Sequence, residues 1–260
     1  MALQTNTSVA SDQLIHRFSE RIKLPDGAST TVNFVSYNRS KTKANLVSFV
    51  QAVHLLDWCA ENGFTEAMGG GFFLRKSNKL LGQTYINGRR LLGAKPFPRP
   101  WHDKRGSVHM PLDGLLEIAP RDELPKRITG DLLQAGPTLI NRSQSAFMNS
   151  PDPEGFSQTA YLHDEDINAK RHPRAAIGVS EDRIWTITAD GRSSTDAGLF
   201  LHELAEIMLQ LHITNAVNLD GGSSSTHISE GRLINRPRTN EQESEIGFPI
   251  HSALVFNVGS

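Results

Sequence analysis

Two acidic residues of this 260-residue chain each close an apolar run and precede glycine: Asp190 in "TITADGR" and Asp220 in "NAVNLDGGSSSTHI". A carboxylate that emerges at a strand end, beside backbone N–H groups that favour its ionised form, stands where a ligand can reach it. Hydrolysis of a glycosidic bond uses two carboxyl groups, one as acid and one as base or nucleophile, and the two Asp-Gly steps are candidates for that pair. Glu203, one to two turns into the intervening helix, is a third candidate, whereas Glu206 reads as solvated helix surface. Gly221 and Gly222 allow close backbone approach to a ligand, and Ser223 and Ser224 add hydroxyl donors, an arrangement suited to phosphate. The same residues also fit a plain polar hairpin turn, with Asp220 bonding its own backbone and Asp190 in an ordinary Asp-Gly turn. Arg174 in "HPRAAIG" can grip phosphate or carboxylate in bidentate fashion, or serve as a surface arginine. A second glycine run, "MGGGFF", sets Gly70 and Gly71 before Phe72 and Phe73, whose rings suit either a sugar face or the core.

The elements that must position these residues follow from local patterns. Thr30 to Asn38 reads as a strand by its β-branched and aromatic content. Between Ala44 and Asn62, the residues Leu46, Phe49, Val50, Val53, Leu56 and Trp58 recur near helical spacing, predicting one long helix closed by Gly63. Asn87 to Gly114 is rich in Pro, Gly and basic residues and reads as strands joined by ordered loops. "DLLQAGPTLINRS" is a strand interrupted at Gly136-Pro137, and Gln144 to Arg171 is a surface loop carrying the acids of His163 to Asp166. "RAAIGVS" and "RIWTITADG" form a hairpin. A helix follows, with Phe200, Leu204, Ile207, Met208 and Leu211 on one stripe and Ser194, Thr195 or Asp196 as N-cap. After it come the strand "NAVNL", the glycine turn, and the hairpin "STHIS-EG-RLIN". The prediction is a single α+β (mixed α/β) domain over residues 13–260, with a mixed sheet, hairpins and two main helices packed on it, preceded by a flexible tail over residues 1–12. "GFTEAMGGGFF" and "HITNAVNLDGGSS" share a helix, a Thr-x-Ala strand start and terminal glycines; were both strands in one sheet, the two turns would open at one edge.

Lys and Arg total 27 against 28 Asp and Glu, so the whole-molecule charge recruits neither nucleic acid nor an anionic membrane. The lone Cys59 excludes an intramolecular disulfide framework or thiolate metal cluster. No run approaches the ~18 apolar residues of a membrane span, and the N-terminus lacks a basic, then apolar leader, so a soluble, cytoplasmic protein is expected. No His-x-x-x-His, His-Glu-x-x-His, Gly-x-Ser-x-Gly or phosphate-loop Gly-Lys-Ser/Thr pattern occurs, and neither a metal nor another cofactor is expected. Oligomeric state is left open.

In joint order these segments resemble the phosphodiester glycosidase family. "NLDGGSSST", Asn218 to Thr226, is similar to the family's Asn-Leu-Asp-Gly-Gly-Gly-Ser-(Ser/Ala)-Thr signature. "RAAIG" (Arg174 to Gly178), "DGR" (Asp190 to Arg192), "HELAEIM", "GPTLI" and "NRP" (Asn235 to Pro237) match further segments. Gly69 replaces the asparagine of the family's Asn-Gly-Gly-Phe-Phe, Ser223 replaces its third signature glycine, and a Glu-Arg pair before the last strand is absent. The resemblance implies a hydrolase that releases a sugar from an anomeric phosphate, acting on a carbohydrate or sugar-phosphate small molecule. It implies Asp220 and Asp190 as the acting carboxylates, with Glu203 in reserve. Arg174, Arg192, Asn218, Gly70, Gly71, Phe72, Phe73 and Gly221 to Ser224 would hold the substrate. A binding module that kept the cradle without turnover is the alternative.

Overall fold

β-Branched and aromatic side chains fill the runs from Thr30 to Tyr37 and from Arg174 to Ala189, and these fold as strands buried on both faces. A computed structural model describes residue 3 and residues 13–74, 77–162 and 167–259. The predicted tail, apart from Leu3, and the acids of His163 to Asp166 lie outside the described residues. Along the chain lie β1 (Ile15–Lys23), β2 (Ser29–Asn38), β3 (Thr42–Val53), α1 (Leu55–Asn62) and β4 (Ala67–Gly69). Short strands follow: β5 (Phe73–Leu74), β6 (Lys79–Leu80), β7 (Thr84–Ile86) and β8 (Arg89–Arg90). Next come β9 (Gly106–Met110), β10 (Glu117–Pro120), β11 (Asp131–Gln134), β12 (Thr138–Asn141) and β13 (Gln144–Ser145). The last third holds β14 (Arg174–Val179), β15 (Arg183–Ala189), α2 (Leu201–Gln210), β16 (Asn215–Asn218), β17 (His227–Ser229), β18 (Arg232–Leu233) and β19 (Ile250–Val258).

A seven-stranded sheet has the order β1-β2-β15-β14-β16-β12-β13, and two five-stranded sheets have the orders β10-β9-β11-β7-β8 and β18-β17-β4-β19-β3. Where a mixed sheet was expected, the pairings between named strands are antiparallel. The helix between β15 and β16 does join strands of like direction. Both run antiparallel to β14, which occupies the slot between them, so the parallel relation exists without a parallel ladder.

The layers follow from period-two alternation. On one face of the large sheet, Phe34, Trp185 and Ile187 pack against Leu204, Ile207 and Met208 of α2. Gly178 admits this approach, because a Cβ there would meet Ile213 Cγ2 at 2.7 Å and Met208 Cε at 3.0 Å. On the opposite face, Val35, Ile177 and Val217 pack against Val108 and Leu133 of one five-stranded sheet and Met68 and Leu254 of the other. Leu55 and Cys59 of α1 cover that second sheet from outside, on Ala253 and Val255. The domain is thus α+β, mostly strand, with two helices packed on its sheets.

Four expectations change. The long helix is a strand followed by a short helix: Thr42, Val47, Val50 and Val53 are β-branched, and pairing of β3 with β19 overrides an imperfect helical spacing. Only Leu55–Asn62 is helical, with Gly63 left-handed at φ 73° as expected. α2 starts later than expected, at Leu201, and its first turn is capped by Glu203, which accepts from Phe200 N–H at 2.9 Å. "DLLQAGPTLIN" forms two strands in different sheets, divided at the cis Gly136-Pro137 peptide. The segment from Gln144 is no plain surface loop, since Glu154 and Phe156 are buried and Arg105 stacks 3.6 Å above the Phe156 ring.

Candidate functional site

The apolar stripe of α2 aims the chain into β16, and the ladder continues until Leu219 N–H donates to Ala175 O at 2.8 Å. The chain then leaves the sheet at Asp220, whose N–H donates to Gly70 O at 3.0 Å. Glycine is required next: a Cβ at Gly221 would lie 2.8 Å from Pro173 O, and Gly222 adopts φ +60°, with the Arg192 guanidinium 3.2 Å from where its Cβ would stand. Gly222 N–H donates to Pro173 O, and Ser224 N–H to Gly221 O. None of the hydrogen bonds among the described residues uses the N–H of Gly221 or Ser223, so this turn keeps two donors for a ligand.

The second glycine run meets this turn from another sheet, so the condition for a shared edge is not met and the two turns face each other across a junction of sheets. Gly69 N–H donates to Thr226 O at 2.8 Å, Gly70 N–H to Ser252 O at 2.9 Å, and Gly71 N–H to Ser252 Oγ at 3.0 Å. Cβ atoms on Gly69, Gly70 and Gly71 would approach Ser224 O, Ser252 Oγ and Leu133 Cδ1 to 2.7, 2.6 and 2.7 Å. These glycines therefore let two sheet ends close on one another, and their N–H groups are spent on protein acceptors.

A pocket of about 440 Å³ opens at the junction. Of the residues singled out in the sequence, Phe72, Phe73, Arg174, Arg192, Asn218, Asp220, Gly221, Gly222, Ser223 and Ser224 line it. Asp220 is the one carboxylate among the described lining residues. Phe72 is also core, 5.9 Å from Phe156, while Phe73 lies against His251 at 4.7 Å. Arg174, the first residue of β14, is 2% exposed and donates to the carbonyls of Leu199, Ile167 and Lys170 at 2.8–2.9 Å, so it organises the wall it belongs to. Arg192 holds a left-handed φ of 59° and donates to Arg238 O at 3.3 Å. Its Nη2 is 3.5 Å from His172 Nδ1, and because a guanidinium only donates, this contact favours the His172 tautomer with its proton on Nε2. Asn218 gives its amide N–H groups to Gly136 O and Leu219 O, leaving Oδ1 buried with no acceptor role among the described residues.

Asp190, Glu203, Gly70 and Gly71 do not line the pocket. Asp190 is 4% exposed and accepts from Arg236 N–H at 2.8 Å. Burial pushes its carboxyl up to about 6, with the Asp196 and Glu243 charges adding and the Arg236 N–H opposing. Glu203 is gripped by Arg171 at 3.0 and 2.6 Å while it caps α2. Sequence reasoning missed His172, Thr239 and Asn240 on the wall. The first stands two residues before Arg174, and the other two follow "NRP", so proximity to already suspicious segments was the available signal. Nothing local marks Asn78 or Pro249, which also line it. Among the described residues no three His, Cys, Asp or Glu side chains cluster as metal ligands would, and no helix is long and apolar enough to cross a membrane.

Fold and pocket together define an α+β domain whose ligand cleft is built from glycine turns at the junction of two antiparallel sheets. Residues 62–257 match the phosphodiester glycosidase family, and the chain belongs to that family. It is 27% identical over 190 residues to the N-acetylglucosamine-1-phosphodiester alpha-N-acetylglucosaminidase of Bos taurus, covering 70% of this chain and 34% of that protein. With the Homo sapiens protein of the same name it shares 28% identity over 185 residues, covering 68% and 34%. The chain thus spans about a third of the length of these relatives. Its fold matches the zebrafish N-acetylglucosamine-1-phosphodiester alpha-N-acetylglucosaminidase catalytic domain, auto-inhibited by its pro-peptide, with a TM-score of 0.71, 16% identity, and coverage of 96% and 84%.

Proposed function

We propose that this chain is a glycoside hydrolase that cleaves the anomeric bond of a sugar-1-phosphodiester or a related glycoside. The observation that carries the reading is convergence: the Asp220 carboxylate, the Arg192 guanidinium and the unused N–H groups of Gly221 and Ser223 meet in one pocket. The cation and the two N–H groups suit a phosphate, and their fixed positions need no reorganisation as negative charge develops on the leaving oxygen. Asp220 then activates water or stabilises the positive charge that grows at the anomeric carbon. A phosphate departs as a stable anion and needs little protonation, which fits a wall where Asp220 is the one carboxylate among the described residues. Phe73, half-buried at the rim, offers an apolar face to the sugar ring.

The test is incubation with UDP-linked sugars, alkyl phosphodiesters of sugar 1-phosphates and aryl glycosides, with release of reducing sugar as the readout. Turnover of phosphodiesters above aryl glycosides is expected, and Asp220→Asn should lower kcat by about 10²–10⁴-fold. Full turnover by Asp220→Asn refutes the assignment of that residue. Thermal stabilisation by these compounds with no product would replace the hydrolase with a binding module.

A further inference from the structure

Asp190 directly follows a strand and is almost fully buried, and it does not line the pocket. Its backbone is tied to β2 on both sides, N–H to Thr31 O at 2.9 Å and C=O from Thr30 Oγ1 at 2.7 Å. Its side chain accepts from Arg236 N–H at 2.8 Å, and two residues on Arg192 donates to Arg238 O at 3.3 Å. One rigid turn therefore holds a neighbouring segment at alternate residues, once through an amide and once through a carbonyl. That segment, residues 235–249, contributes Thr239, Asn240 and Pro249 to the pocket. It is anchored at its start by Asn235, which accepts from His227 N–H and donates to Ser225 O, both at 2.8 Å. It is cross-tied internally by the Arg238–Glu243 pair at 2.6 Å and by Ser244 N–H on Pro237 O at 3.0 Å. Beyond Asn235, the hydrogen bonds to Asp190 and Arg192 join its first half to the sheet that carries the pocket.

We infer that Asp190 is a positioning residue, a latch that holds the 235–249 strap against the pocket, rather than the second carboxylate of the reaction. The assignment rests on the hydrolase reading above. The latch needs an oxygen acceptor facing Arg236 N–H and needs no negative charge, so the amide of asparagine serves as well as a carboxylate. A reacting carboxyl group would not tolerate that exchange. The charged groups facing Asp190 are Arg236, Asp196 and Glu243, and none of the ion pairs among the described residues includes Asp190, since Asp196 pairs with Arg21 and Glu243 with Arg238.

The experiment compares Asp190→Asn, Asp190→Ala and Arg236→Pro, the last removing the donated N–H together with the Arg236 side chain. Two measurements are made: amide hydrogen exchange across residues 235–249, and kcat and KM on the sugar phosphodiester that the wild type turns over best. Asp190→Asn should keep strap exchange, kcat and KM within about threefold of wild type. Asp190→Ala and Arg236→Pro should speed strap exchange and raise KM by about tenfold or more, with kcat changed far less. Loss of kcat by more than about 100-fold in Asp190→Asn, with the strap still protected, would overturn the latch and make Asp190 catalytic. Wild-type exchange rates in Asp190→Ala would overturn it as well. Should Asp190→Ala not fold, the other two variants decide. Exchange is measured without substrate, so a wild type that hydrolyses nothing refutes the hydrolase reading and still leaves the latch tested.

Discussion

Gly69 offers a direct test of how the two sheet ends build the pocket. In Gly69→Ala the new Cβ would stand 2.7 Å from the carbonyl oxygen of Ser224, and that oxygen belongs to backbone, so one of the two glycine runs must shift. Overpacking of this kind costs about 1–3 kcal/mol, and the lower entropy of an unfolded chain with alanine returns about 0.4–1 kcal/mol. Gly69 does not hold a positive φ, so no further backbone penalty applies. The net loss is about 0–2.6 kcal/mol, or a Tm lowered by up to roughly 10 °C in a chain of this size, whereas the control below gains the entropic term of about 0.4–1 kcal/mol alone. Because Ser224 lines the pocket, the shift should also weaken binding of inorganic phosphate. Gly93→Ala is the control, since nothing lies within 4 Å of its Cβ position and its φ is not positive. Calorimetric melting and phosphate titration of both variants provide the assay. If Gly69→Ala matches Gly93→Ala in both, contact between the two runs does not shape the site.

Two further predictions concern buried carboxyl groups. Glu203→Gln should cost about 1–3 kcal/mol, because the Arg171 guanidinium then faces a neutral amide and keeps Asp26 as its carboxylate partner, and KM should stay near wild type since Glu203 does not line the pocket; a loss of kcat at unchanged Tm would return Glu203 to the reaction. Glu154 is fully buried, and burial, working against hydrogen bonds from Thr138 and Gly106 and the charge of Arg105, pushes its carboxyl from 4.5 up to about 7. The folded state therefore holds a proton that the unfolded chain releases, so this group's contribution is full below pH 4.5 and is lost as pH rises to about 7. The loss amounts to about 3 kcal/mol. Glu154→Gln removes the titration, so its stability relative to wild type should improve by about that amount from pH 4.5 to pH 8, in melts at the two pH values. Comparing the two proteins at each pH cancels Asp190, pushed up to about 6, and His227, pushed down to about 3 by burial. A difference that does not move with pH would show that Glu154 titrates normally.

What the sequence revealed divides along the range of the forces involved. The α2 stripe, the β14–β15 hairpin and the Asp-Gly-Gly turn are set by residues close in the chain, and each was legible. Arg174, Arg192 and Asp220 were found because they sit at the ends of those elements. β3 was misjudged because its decisive partner, β19, lies at the far end of the chain, and strand pairing depends on context more than helix spacing does. Asp190 and Glu203 show a different limit. Period and turn chemistry fix where a backbone emerges, but the partner that takes the side chain, Arg236 N–H in one case and Arg171 in the other, comes from another segment. Thr239 and Asn240 were hidden for the same reason: they belong to an irregular strap whose place is set by contacts made after folding.

Two of the three departures from the family pattern, Gly69 and Ser223, acquire different meanings in this geometry. At residue 69 the glycine is demanded by the Ser224 carbonyl, so an asparagine side chain could enter only if the Ser224 turn lay farther away. Residue 223 carries no such demand. Ser223 does not adopt a positive φ, so the backbone freedom of a third glycine is not needed there, and serine costs the turn nothing. Ser223 also lines the pocket beside the unused N–H donors. Relative to the family pattern, the glycine run behind the Ser224 turn lacks an amide side chain, and the pocket lining carries a hydroxyl at Ser223. The runs touch where both changes fall, since Gly69 is backed by the residue that follows Ser223. A side chain larger than hydrogen at residue 69 would displace the Ser224 backbone and, with it, the adjoining Ser223, so the two positions are coupled through this turn.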